Sequence, residues 1–152
     1  MSLVDVNAAH PPSPHALRVG YAGLLPFVAG AALIWIVRAD AHPYVAAALS
    51  AYAAVILSFL GGIHWGFGMR GAAAAAPAPS LFTWGVVPSL IAWVAVVMPP
   101  YAGLVVQGVG LVACYAVDRR VYPQHGAAAW LTLRFRLTGV ASLSCFVGAA
   151  GS

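Results

Sequence analysis

Few side chains in this chain could do chemistry, and His64 is the one placed inside an apolar run. Gly61 and Gly62 precede it, Trp65 and Gly66 follow it, and Arg70 stands six residues on. An imidazole with glycine-cleared space around it can ligate haem iron, donate to a quinone carbonyl or pass a proton. The competing reading is an interfacial histidine bonded to a backbone carbonyl or to lipid. One such histidine cannot supply both axial ligands of a bis-histidine haem unless the chain dimerises, and His42 belongs to the opposite side. The candidate ligand set is therefore His64, Trp65, Gly61 and Gly62. Quinone or haem stands as the alternative to no cofactor at all.

The rest of the chain offers little to a catalyst. It has three aspartates, no glutamate and no lysine, against seven arginines. Asp5 lies in the N-terminal tail, and Asp40 and Asp118 fall at loop positions. There is no Ser–His–Asp set, no pair of carboxylates, no phosphate-cradling glycine loop and no zinc-ligand spacing, so no catalytic or metal residue is expected and the chain reads as non-enzymatic. Cys114 and Cys145 read as small buried apolar side chains. Asp118, Arg119 and Arg120 close the fourth apolar segment, where cations offset the helix dipole. With Arg70, Arg134 and Arg136 these arginines could hold an anion, but contact with lipid headgroups already accounts for them, Arg134 and Arg136 snorkelling to the interface.

The elements that must position these groups are apolar helices. Hydrophobic residues make up 62% of the chain and charged ones 7%, with a mean hydropathy of +0.91. A water-soluble fold of this length needs more surface charge, so the solvent is lipid and the fold class is an all-α, polytopic integral membrane helix bundle. The arginines sit at the ends of apolar segments, which excludes the basic, water-exposed face that nucleic acid needs. Five spans are predicted, at residues 17–37, 44–67, 81–98, 101–117 and 128–151, within one transmembrane domain over residues 17–152. The last is the weakest, because uninterrupted apolarity starts only at Leu137; the alternative is four spans and an interfacial helix. Pro26 predicts a kink in the first span. Residues 1–16 read as a disordered tail without a secretory signal or an Arg-rich transit pattern, and the alanine-rich residues 71–80 as a short tether. Arg18, Arg70, Arg119, Arg120, Arg134 and Arg136 fall on one side and Arg38 alone on the other, which predicts a cytoplasmic N-terminus by the positive-inside rule.

Along the second span, Ala46, Ser50, Ala54, Ser58, Gly62 and Gly66 form a row of small residues spaced by four. In lipid, small residues favour helix pairing because they let backbones approach closely. The row predicts a packing seam, inside the bundle or against another subunit. Gln107, between Gly103 and Gly108, is expected to tie helices together by hydrogen bonds.

Several blocks carry a resemblance: Gly20-Tyr21-Ala22-Gly23-Leu24-Leu25-Pro26-Phe27, Ser58 through Gly66, Trp84 through Trp93, Asp118-Arg119-Arg120, and Trp130 through Thr138. Together they resemble the small multi-pass family called domain of unknown function 3429, from about Arg18 onward. The resemblance implies a helical protein of bacterial inner membranes or mitochondria, and it implies no activity, cofactor or site. The lysine-free, alanine-rich makeup favours the bacterial inner membrane. The expected function is an accessory or assembly component of a larger membrane complex, in contact with the bilayer and with other membrane subunits. The alternatives are a quinone- or haem-binding bundle using His64 and, third, a small transporter or channel.

Overall fold

Proline and glycine decide where the helices start and stop. The computed structural model describes residues 10–71 and 79–152, and among them there is helix and short connection but no strand. The first helix, α1 (Pro14–Ala22), opens with Pro14 in its first turn and the Ser13 hydroxyl accepting from the Ala16 amide at 3.2 Å. After Gly23 and Leu24 the chain resumes as α2 (Leu25–Ile36). Pro26 has no N–H for the Ala22 carbonyl, so the helix is interrupted one turn before it. The expected kink is thus a break centred on residues 23 and 24. The helix also begins ahead of residue 17, so the last part of the expected tail is ordered; residues 1–9 lie outside the described residues.

A 3₁₀ turn at Ala39–Ala41 leads into α3 (His42–Gly71), 30 residues long. At 1.5 Å per residue that is about 45 Å, longer than the ~30 Å hydrocarbon layer. Of the expected tether, residues 72–78 lie outside the described residues, while Pro79 and Ser80 already belong to α4 (Pro79–Val97). Pro99 then turns the chain sharply, with the Gly103 amide bonded to its carbonyl at 3.0 Å, and α5 (Pro100–Gln124) runs back. This helix continues well past the expected end at residue 117, so Asp118 is part of a helix and not of a loop. A second 3₁₀ turn, Ala128–Trp130, introduces α6 (Leu131–Gly151).

α3 packs most extensively on α4, and α5 on α6, while α2 bridges α3 and α6. Phe27, Ile34, Leu49, Leu57, Leu104 and Leu111 fill the centre. Large apolar side chains such as Trp35, Phe59, Trp93, Val97 and Leu143 point outward. A bundle with apolar residues on both its inside and its outside is built for lipid. Among the described residues, α1 with α2, α3, α4 and α5 provide four stretches long and apolar enough to cross a membrane. α6, at 21 residues, has the length for a fifth.

Candidate functional site

The inward face of α5 repeats at steps of three and four: Gln107, Leu111, Cys114, Asp118 and Tyr122 are all buried. On α6 the same spacing buries Arg134, Thr138, Ala141, Cys145 and Gly148. α5 and α6 run in opposite directions, so the C-terminal part of one faces the N-terminal part of the other. Asp118 and Arg134 meet there. Nε of Arg134 donates to Oδ2 of Asp118 at 2.8 Å, and Nη2 donates to the same oxygen. Asp118 is 1% exposed and Arg134 7%.

From α3, His64 reaches the other carboxylate oxygen. Its Nε2 lies 3.4 Å from Oδ1 of Asp118, within ion-pair range but off hydrogen-bond alignment. Its Nδ1 lies 3.3 Å from the Leu60 carbonyl, one turn back on the same helix. The ring is 1% exposed, enclosed by Phe67 of α3, Trp84 of α4 and Tyr122 of α5 with ring centroids 6.2, 6.5 and 6.4 Å away. The Trp84 indole nitrogen is also buried and finds no hydrogen-bond partner among the described residues. The cluster thus joins three helices through polar side chains and a fourth through an aromatic wall. Each contributing residue lies about 5–10 Å in from the end of its helix, at the end of the bundle that also carries Arg70, Arg119, Arg120 and Arg136. Charge at such depth is costly unless it is paired, and here the pair supplies the compensation.

This geometry revises several expectations. Arg134 does not snorkel to headgroups; it turns inward because its rotation on α6 matches Thr138 and Ala141, which are buried. Arg136, two residues on, points outward and donates to the Tyr21 hydroxyl of α1 at 3.2 Å. Arg70, Arg119 and Arg120 are exposed, as contact with headgroups requires. The set His64, Trp65, Gly61 and Gly62 is not gathered around one space. Trp65 turns out, 41% exposed, and donates to the Phe82 carbonyl at 3.0 Å. Neither ring nitrogen of His64 is turned to open space, so axial ligation of an iron is not what the ring offers.

The small-residue row also divides. Ser50 is buried, and its carbonyl accepts from Nε2 of Gln107 at 2.9 Å, joining α3 to α5. Toward the other end the row rotates outward: Ala54 and Ser58 line a groove with Ser89 and Trp93 of α4, and among the described residues side chains at Gly62 or Gly66 would meet nothing within 4 Å. The close backbone approach is made instead by Gly61, where an added Cβ would collide with the Gly85 carbonyl of α4. Gly62 is therefore not part of the packing inside the chain.

With the bundle's geometry in hand, its relatives can be placed. Residues 12–150 match the family described as protein of unknown function (DUF3429). The chain belongs to that family. It is 39% identical over 145 residues to Transmembrane protein 69 of Xenopus tropicalis, an alignment covering 92% of this chain and 55% of the frog protein. It is 36% identical over 85 residues to Transmembrane protein 69 of Mus musculus, covering 50% of this chain and 34% of the mouse protein. The chain therefore spans about half the length of the frog relative. No solved structure matches it. The family match takes in His64, Asp118 and Arg134 together, the three residues that meet in the bundle.

Proposed function

We propose that the chain is a small, non-enzymatic accessory or assembly subunit of the bacterial inner membrane that docks a transmembrane helix of a larger complex on the outer face of α3. In this reading the N-terminus is cytoplasmic and α6 completes a fifth crossing. The observation that carries it is the open side of Gly62 and Gly66, next to the groove of Ala54, Ser58, Ser89 and Trp93. Glycine costs a helix about 1 kcal/mol relative to alanine. Facing lipid, it gains nothing in return; facing another helix, it permits close backbone contact. The one-sided arginines support the orientation, and the lysine-free, alanine-rich composition supports a bacterial source.

Site-directed photocrosslinking in native membranes tests this. A photoreactive side chain at Ser58 should join the chain to one defined membrane protein, and the same group at Leu143, which is exposed on α6, should not. Gly62→Leu should abolish the crosslink while the bundle stays folded. Lipid adducts alone at Ser58, in membranes where the chain is at its native level, would sink the docking reading.

A further inference from the structure

Both ring nitrogens of His64 face oxygen acceptors, Nδ1 toward the Leu60 carbonyl at 3.3 Å and Nε2 toward Oδ1 of Asp118 at 3.4 Å. A neutral imidazole has one N–H and one lone pair. In either tautomer, one of these oxygens meets a lone pair. Only an imidazolium offers a hydrogen to both. Against it stands burial, since the ring is 1% exposed and a charge loses its hydration there. In its favour stands the Asp118 carboxylate, although Arg134 already neutralises part of that field. The cluster's formal charge is zero with His64 neutral and +1 with His64 charged.

We propose that His64, Asp118 and Arg134 form a binding site for a single exchangeable proton inside the membrane bundle. The proton is carried on the imidazole, at the end of the bundle that bears Arg70, Arg119, Arg120 and Arg136. When it is bound, the positive ring attracts Oδ1 of Asp118, 3.4 Å from Nε2, and ties α3 to α5 as an ion pair. When it leaves, that link is lost while the Arg134–Asp118 pair remains. The groups facing the ring from the packed elements are Asp118 and Tyr122 of α5, Arg134 of α6, the Trp84 indole of α4 and Phe67 of its own helix. His125, just beyond α5, packs against Phe67 with ring centroids 5.0 Å apart, and Cys114 lies on the Asp118 face of α5. Asp118 is the anion among them in contact with the ring, so its charge works against burial in holding the proton.

The test is a ¹⁵N NMR titration of histidine side chains in the full chain, reconstituted in lipid nanodiscs, between pH 5 and 9. His64→Gln assigns the resonance against those of His10, His15, His42 and His125. The His64 signal should pass from the imidazolium pattern to a single neutral tautomer within that range. Asp118→Asn should lower its midpoint by about one unit or more, a tenfold or greater loss of proton affinity. A His64 signal that does not change from pH 5 to 9 would overturn the proposal, and so would a midpoint indifferent to Asp118→Asn. The wild-type titration decides the first point even if the Asp118 variant fails to fold.

Discussion

Arg134 and Asp118 are sixteen residues apart in the chain and hydrogen-bonded to each other inside it, with the guanidinium Nε 2.8 Å from Oδ2 of the carboxylate. Their helices run in opposite directions through an apolar bundle, so the pair is the main electrostatic tie between α5 and α6. Removing one partner leaves the other charged and buried. Arg134→Met and Asp118→Leu should each destabilise the bundle by about 3–5 kcal/mol. The double variant should recover much of that loss, because neither charge is then stranded. Reversible unfolding in mixed micelles, run as a double-mutant cycle, measures the coupling; additive losses would mean the pair contributes nothing as a pair.

Neighbouring glycines on α3 should behave oppositely. Gly61→Ala drives a methyl group into the Gly85 carbonyl and should cost roughly 1–3 kcal/mol as overpacking. Gly62→Ala meets open space and should leave the bundle unchanged or slightly firmer, by up to about 1 kcal/mol of helix propensity. Thermal unfolding of the purified variants separates the two.

Gln107 donates to the Ser50 carbonyl at 2.9 Å while its own carbonyl oxygen is buried without a partner. Gln107→Leu removes one interhelical bond and one unsatisfied acceptor together. The net change in stability should be within about 1 kcal/mol of zero, in keeping with the ~0.6 kcal/mol average for such bonds in membranes. The same micellar unfolding assay checks it.

The threading of the chain is open to chemical labelling. Cys114 and Cys145 are buried, so the wild-type chain should be silent to a membrane-impermeant maleimide. Cysteines introduced at Ser13 and Gly126 should then react from the cytoplasmic side, and one at Ser152 from the opposite side. Labelling of Ser152→Cys from the cytoplasmic side would instead make α6 an interfacial or re-entrant helix.

The spans and their breaks were legible in the sequence because proline and apolar run length are local signals. Pro26 sits in the first turn of α2 and the Pro99–Pro100 step divides α4 from α5, whereas Pro88 lies inside an unbroken α4. Rotation about each helix axis was not legible. Gly61 and Gly62 differ by one residue, yet about 100° of turn sends one into α4 and the other outward. For the same reason Arg134 and Arg136 look equivalent in a list of interfacial arginines and have opposite fates. His64 stands out from its surroundings, but its partners lie on helices far along the chain, and a fourth span taken to end at residue 117 stops seven residues short of Gln124 and leaves Asp118 outside the helix. The signal that would have found it is the spacing Gln107, Leu111, Cys114, Asp118, Tyr122, which continues the inward face of α5 without a gap.

The Arg134–Asp118 pair also constrains how the protein is made. When α5 leaves the ribosome it carries a carboxylate whose partner helix, α6, has not been synthesised. Its neutralising guanidinium arrives only with the start of α6. A helix with an unpaired charge partitions poorly into hydrocarbon, so α5 is better accommodated in lipid together with α6 than alone. Insertion of α5 and α6 as a paired hairpin is the order that this pair favours, since α5 alone would carry an uncompensated charge.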